Sequence, residues 1–237
     1  MNIYMIGDST MKFNNFYTYP QTGWGQVLNL FTKEDILVFD YAENGRSTKS
    51  FIDEGRFDVV LNKIEKGDYL ICQFGHNDEK EYDKSRYTTP FNTYVSNLEY
   101  FANKIKEKGA HIVFATSITR HKYENNKCVN SHGDYPKAML EFAKKNNYTC
   151  IDLNQLTMDL YTKLGEEKTK EFHMIFPKNT YNTYIEGKDD HSHLRYEGAI
   201  MIAEIFVRNI LKTNDPIKEC FIDLDNAPEI DWKMLKD

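Results

Sequence analysis

The chain has 237 residues, 41% hydrophobic and 28% charged, which is ordinary for a globular protein and long enough to bury the core of one α/β domain. A formal charge of −6 disfavours nucleic acid or an anionic membrane surface as a partner, since neither attracts an acidic surface. No apolar run approaches the roughly 18 residues that span a bilayer.

The first apolar run, NIYMIG at 2–7, starts within two residues of Met1 and ends on Gly-Asp-Ser-Thr. So early a strand leaves no room for a leader, which predicts a cytoplasmic protein. A helical pattern follows at about 23–32, then a strand at 35–41, a helix at 51–65 and a strand, DYLICQF, at 68–74. Helix 91–108 carries lysines near its end and Gly109 as its stop. Strands at 110–116 and 148–153 and helices at 134–146, 153–165 and 196–212 complete the series. Alternating strands and helices, with nearly continuous apolar strands, predict a parallel sheet covered on both faces. The segment 166–192 reads as a long polar, irregular loop, and the tail from 214 to 237 as packing across the surface. No repeat or linker divides 1–237, so a single domain is expected. Of the four cysteines, Cys72 and Cys150 fall in predicted strands, and none of the four has metal-type spacing; buried free thiols in a reducing compartment are expected.

In open α/β sheets ligands gather beyond the carboxyl ends of the strands. Four polar clusters occupy that place: GDST after the first strand, ENGRST after the second, GHND after the third and TSITR after the fourth. Turn chemistry accounts for any one of them, and a serine after a strand is most often a helix cap. Nucleophilic hydrolysis needs a hydroxyl, a base, a group to hold the base, and donors for an oxyanion. Ser9 supplies the hydroxyl, and DDHSH at 189–193 puts an acid and a base on one short loop before the last helix. Asn44-Gly45 and Gly75-His76-Asn77 supply donors. Gly-x-Ser-x-Gly, phosphate-loop, dinucleotide and His-Glu-x-x-His patterns are all absent.

GDST, AENGRST, GHND and DDHSH, in that order, resemble the four blocks of the SGNH (GDSL-type) hydrolases. GWGQ at 23–26, QFGHND at 73–78, HGDYPKAM at 132–139 and the Asp-His-Ser-His before EGA resemble the rhamnogalacturonan acetylesterase branch in particular. The resemblance covers residues 3 to about 210. It implies a three-layer α/β/α sandwich with a flavodoxin-like, five-stranded parallel sheet, and no metal or organic cofactor. It also implies removal of acetyl groups from pectic oligosaccharides. Carried over by position, Ser9 is the nucleophile, His193 the base and Asp190 the acid that orients it. The oxyanion donors are the N–H groups of Ser9 and Gly45 and the amide of Asn77. Asp8 is expected to brace the turn. Met11 stands where relatives often carry a smaller apolar residue, a difference that would reshape the pocket floor.

Substrate contacts are expected from Arg46 and Arg120, which follow strands two and four and could meet a uronate, and from His76, Asp78 and His191; each has a structural reading beside it. His191 and Asp189, with His193 and Asp190, could instead ligate a transition metal. His111, His121, His132 and His173 carry no assigned role. Alternatives to a pectic acetylesterase are an esterase of acetylxylan, another carbohydrate or a lipid, a metal-dependent hydrolase, and a carbohydrate-binding protein without catalysis.

Overall fold

The computed structural model describes residues 1–224. Five parallel strands form the central sheet: β1 (Ile3–Gly7), β2 (Val38–Asp40), β3 (Tyr69–Gln73), β4 (His111–Ala115) and, after a small hairpin of β5 (Tyr123–Glu124) and β6 (Lys127–Cys128), β7 (Cys150–Ile151). Their order is β2-β1-β3-β4-β7, with Ile3 in register with both Val38 and Tyr69, and Tyr69 with His111.

The period of two along each strand sorts the core into two layers. Ile3, Met5, Tyr69, Ile71, Val113, Ala115 and Ile151 join one buried cluster, together with α5 (Leu153–Leu164), α7 (Tyr196–Leu211) and a 3-10 segment at Trp24–Phe31. Tyr4, Ile6, Leu70, Cys72, Ile112 and Phe114 join the other. There they meet α1 (Thr48–Asp53), α2 (Arg56–Leu61), α3 (Val95–Glu107) and α4 (Tyr135–Lys145). Helices on both faces give the three-layer α/β/α arrangement expected. All four cysteines are free, and among the described residues no helix is long and apolar enough to cross a membrane.

Several elements differ from the sequence expectations for identifiable reasons. The segment at 24–31 is 3-10, and its first N–H groups donate to Thr10 and Met11 carbonyls at 3.0 Å, tying it to the turn after β1. The helix expected over 51–65 is two helices, because Gly55 adopts φ 66°, a left-handed conformation that ends α1. A π-type turn at Pro90–Tyr94 precedes α3. The edge strands β2 and β7 are three and two residues long, shorter than expected.

The larger correction concerns 166–192. This segment holds α6 (Glu166–Thr169), a 3-10 turn at Lys170–Phe172, and an antiparallel hairpin of β8 (His173–Phe176) with β9 (Lys188–Leu194), paired as Met174↔Asp190 and Phe176↔Lys188. The acid and base expected on a loop therefore sit on a strand. β9 has no apolar alternation to betray it, since only Leu194 of its seven residues is buried. The start of the tail is not superficial either: Ile217, Cys220 and Phe221 are buried in the first cluster, and Ile222 N donates to Phe31 O at 2.9 Å. The part of the tail from 225 onward lies outside the described residues.

The hairpin is held against α7 by a close backbone approach. A Cβ on Gly198 would lie 2.2 Å from the Phe172 carbonyl oxygen, which immediately precedes β8. Gly198→Ala is therefore expected to destabilise the protein by about 1–3 kcal/mol through overpacking, read as a lower urea midpoint at unchanged slope.

Candidate active site

The turn after β1 is built around a carboxylate with no exposure to solvent, Asp8. Its Oδ1 accepts from Thr10 N at 2.9 Å and Thr10 Oγ1 at 2.8 Å, and its Oδ2 lies 3.1 Å from His76 Nδ1. Burial alone would raise the Asp8 pKa. The charge and hydrogen bond of His76, with the bonds from Thr10, outweigh it and bring the value down to about 2. Thr10 Oγ1 also accepts from Gln73 Nε2 at 2.8 Å, and Gln73 Oε1 accepts from the buried Trp24 Nε1 at 2.7 Å. One chain of hydrogen bonds thus joins GWGQ, QFGHND and GDST. As expected, Asp8 braces the turn.

The turn leaves the next residue, Ser9, facing β9. Ser9 Oγ is 2.8 Å from His193 Nε2, and His193 Nδ1 is 2.8 Å from Asp190 Oδ2. The other Asp190 oxygen accepts from the N–H groups of Ser192 at 3.0 Å and His193 at 3.1 Å. Burial raises the Asp190 pKa, but the hydrogen bond and charge of His193 and these two N–H groups overcome it and hold the carboxyl well below its usual range. An ionised Asp190 suits an Nδ1–H donor on His193 and leaves Nε2 to accept from the serine hydroxyl.

Ser9 and His193 line a cavity of about 390 Å³ together with Gly45 and Asn77. The N–H groups of Ser9 and Gly45 find no acceptor among the described residues, although the neighbouring N–H groups of Asn44 and Arg46 do. Gly45 reaches this position at φ 72°, a conformation that favours glycine. Asn77, 3% exposed, donates through Nδ2 to Arg46 O at 3.0 Å, which leaves its second amide hydrogen without an acceptor.

The expected substrate contacts divide. Arg120 and His76 line the cavity. Arg120 is also held from below, by Glu79 at 2.5 Å, Ser192 Oγ at 3.0 Å and His76 O at 3.4 Å. The other three lie elsewhere. The Arg46 side chain is drawn away by Glu54 at 3.0 Å and Asn44 O at 2.7 Å. Asp78 is wholly buried and accepts from Thr48 and Thr88, which locks α1 to the GHND turn. His191 turns to Asp189 at 3.0 Å and His121 O at 2.9 Å. Met11 is not in the pocket floor but fully buried in the core, where Gly7, Gly23 and Gly25 make room for it. Among the described residues no three His, Cys, Asp or Glu side chains gather so as to hold a metal ion.

Sequence reasoning missed Lys80, Gln21, Thr10 and Ser192, which also line the cavity. It also missed His132, whose Nδ1 lies 3.0 Å from Glu79 and whose ring meets His76 edge-on at 4.4 Å. Lys80 was the findable one, two residues beyond GHND; the others are reached only through folding.

The GDSL-like lipase/acylhydrolase family model matches residues 3–206. The chain belongs to this family. Among its relatives, the rhamnogalacturonan acetylesterase RhgT of Bacillus subtilis (strain 168) is 35% identical over 231 residues, 97% of this chain and 98% of that protein. The probable rhamnogalacturonan acetylesterase YesY of the same organism is 36% identical over 93% of this chain and 97% of its own length. For the fold alone, Bacillus subtilis YxiM matches with TM-score 0.76 at 24% identity, over 88% of this chain and 55% of that one. The acetylxylan esterase Axe2 of Geobacillus stearothermophilus matches with TM-score 0.59 at 14% identity, over 88% and 93%. The family match, 3–206, includes the hairpin.

The depressed Asp8 pKa has a testable consequence. Its folded value of about 2 lies below the ordinary carboxyl value of about 3.9, so the unfolded chain binds the proton first as pH falls. Asp8 therefore stabilises the fold above about pH 4, and the contribution is lost between about 4 and 2. Asp8→Asn is expected to lose about 2–3 kcal/mol at neutral pH, with wild type and variant converging in urea unfolding as pH is lowered toward 2. A gap independent of pH would contradict this origin of the stability.

Proposed function

We propose that the protein is a serine esterase that removes O-acetyl groups from carbohydrate, with acetylated rhamnogalacturonan oligosaccharides as its substrates. The carrying observation is the unbroken Ser9–His193–Asp190 chain of hydrogen bonds, opening on a cavity that Ser9, Gly45 and Asn77 also line. The substrate class is supported by the two Bacillus relatives, similar over nearly their whole lengths. The four free thiols suit a reducing compartment, where imported oligosaccharides rather than intact polymer would be deacetylated.

In this reading His193 Nε2 takes the Ser9 proton as Oγ attacks the acetyl carbonyl carbon. The carbonyl oxygen becomes an oxyanion, met by the N–H groups of Ser9 and Gly45 and the amide of Asn77. His193, now imidazolium and held by Asp190, gives its proton to the departing sugar oxygen, leaving acetyl-Ser9. Water, deprotonated by His193, then attacks that ester, and its collapse releases acetate and returns the proton to Ser9. No step calls on a metal or organic cofactor.

Acetate release from acetylated rhamnogalacturonan oligosaccharides, compared with acetylated xylan, tests both halves of the proposal. Ser9→Ala is expected to abolish release, and Asp190→Asn to lower kcat by on the order of 10³–10⁴ while the fold persists. Release from xylan at an equal rate would leave the serine chemistry standing and defeat the substrate assignment. Activity surviving in Ser9→Ala would defeat the mechanism.

A further inference from the structure

An amide can serve an oxyanion only if its nitrogen, not its oxygen, faces the reacting atom. The Asn77 carboxamide lies between two groups of opposite demand. Nδ2 donates to Arg46 O at 3.0 Å, and Oδ1 accepts from Lys80 Nζ at 2.8 Å. Rotating the amide by half a turn would set oxygen against the carbonyl and N–H₂ against the ammonium, two repulsive contacts in place of two hydrogen bonds.

Lys80 is placed for this by the turn it closes. Glu79 N donates to Gly75 O at 3.4 Å and Lys80 N to Asn77 O at 3.3 Å, which folds the Lys80 side chain back over Asn77. Each other cation near the site has a carboxylate partner: Arg120 has Glu79, Arg86 has Asp83 and Arg46 has Glu54. Lys80 lines the cavity, and its described polar side-chain contact is the neutral oxygen of Asn77. Burial, followed by the charges of Arg86 and Arg120, lowers its pKa from the ordinary lysine range, so the cation is kept there at a cost.

We propose that Lys80 is a positioning residue of the oxyanion site: its ammonium fixes the Asn77 carboxamide with N–H₂ toward the cavity and polarises it as a donor. The inference rests on the reading of Asn77 as an oxyanion donor. Charge drawn onto Oδ1 by the ammonium makes the Nδ2 hydrogens more positive, so the effect is felt most where the carbonyl oxygen becomes an anion. Lys80 touches no reacting atom in this scheme and acts through Asn77.

A double-mutant cycle with Lys80→Met and Asn77→Ala tests it, assayed on p-nitrophenyl acetate and on an acetylated uronate-containing oligosaccharide. Removing a whole oxyanion donor costs about 10²–10³ in kcat, so Asn77→Ala is expected to fall in that range. Lys80→Met is expected to lose about 10-fold in kcat on both substrates, with KM within about twofold. In the Asn77→Ala background the same change should cost less than about twofold. Lys80→Arg should recover part of the loss, and Lys80→Gln guards against a packing defect special to methionine. A full loss that persists without Asn77, or a loss confined to KM for the uronate substrate, would overturn the inference in favour of an independent or carboxylate-binding role. Unchanged kcat in Asn77→Ala would instead overturn the reading on which it rests.

Discussion

A carboxylate sealed from water at the end of a strand has to be satisfied by hydrogen bonds or it will not stay ionised. Asp8 meets that demand with Thr10 and His76, and the solution organises the carboxyl edge of the sheet. Thr10 is in turn held by Gln73, and Gln73 by Trp24, so the turn after β1 cannot shift without disturbing β3 and the 3-10 segment. His76 carries the constraint to the GHND turn, where Asn77 sits. The turns that carry Ser9 and Asn77 are therefore tied to one buried polar framework. Side chains carried on such turns are positioned by packing and hydrogen bonds of the protein's own.

His193 comes from far away in sequence, 184 residues beyond Ser9. A parallel sheet alone offers no strand to carry it back over the carboxyl edge. The antiparallel hairpin of β8 and β9 does so, with Leu194 O accepting from Thr22 N at 2.9 Å to clamp the end of β9 beside the loop that follows Ser9. Within β9, Asp190 is three residues before His193, and its second oxygen accepts from the N–H groups of Ser192 and His193. Asp190 thus fixes the His193 ring and shapes the backbone that bears it. Both roles need an ionised carboxylate, and the same hydrogen bonds keep it ionised.

The sheet and its helices were legible because burial on both faces writes itself into sequence as apolar runs: β1, β3 and β4 appear almost as read. The edge strands were overextended because a strand paired on one side stops where its single partner diverges, and nothing local marks that point. β9 was illegible for a different reason. Lys188, Asp189, Asp190 and His191 give no alternation, and the strand exists because β8 is buried beneath it and pairs with it. In the site, Ser9, Asp190, His193, Gly45 and Asn77 could be assigned through the order of the four blocks, and the structure brings them together. Arg46, Asp78 and His191 follow the right strands or sit beside the right residues, but their nearest opposite charges or donors claim them first. Proximity in sequence to a site says where a side chain starts, and competition among partners decides where it ends.

That competition also separates the two ends of the hairpin. The groups around Ser9 are engaged with one another, so changing them disturbs the framework. The end of the hairpin is differently built: Tyr181 packs edge-on against Phe176 at 4.7 Å and against Tyr19 at 5.7 Å, and Lys178 bonds Glu186 at 2.5 Å. Tyr19 itself is two residues from Gln21 in the cavity wall. This aromatic contact joins the hairpin to the loop beyond Ser9 without touching the Asp8 framework. Tyr181, Phe176, Lys178 and Glu186 lie outside the cavity lining, and their contacts are separate from those of Asp8. The hairpin is therefore held in two ways: β9 by the hydrogen bonds that join Asp190, His193 and Ser9, and the far end by aromatic and charged contacts of its own.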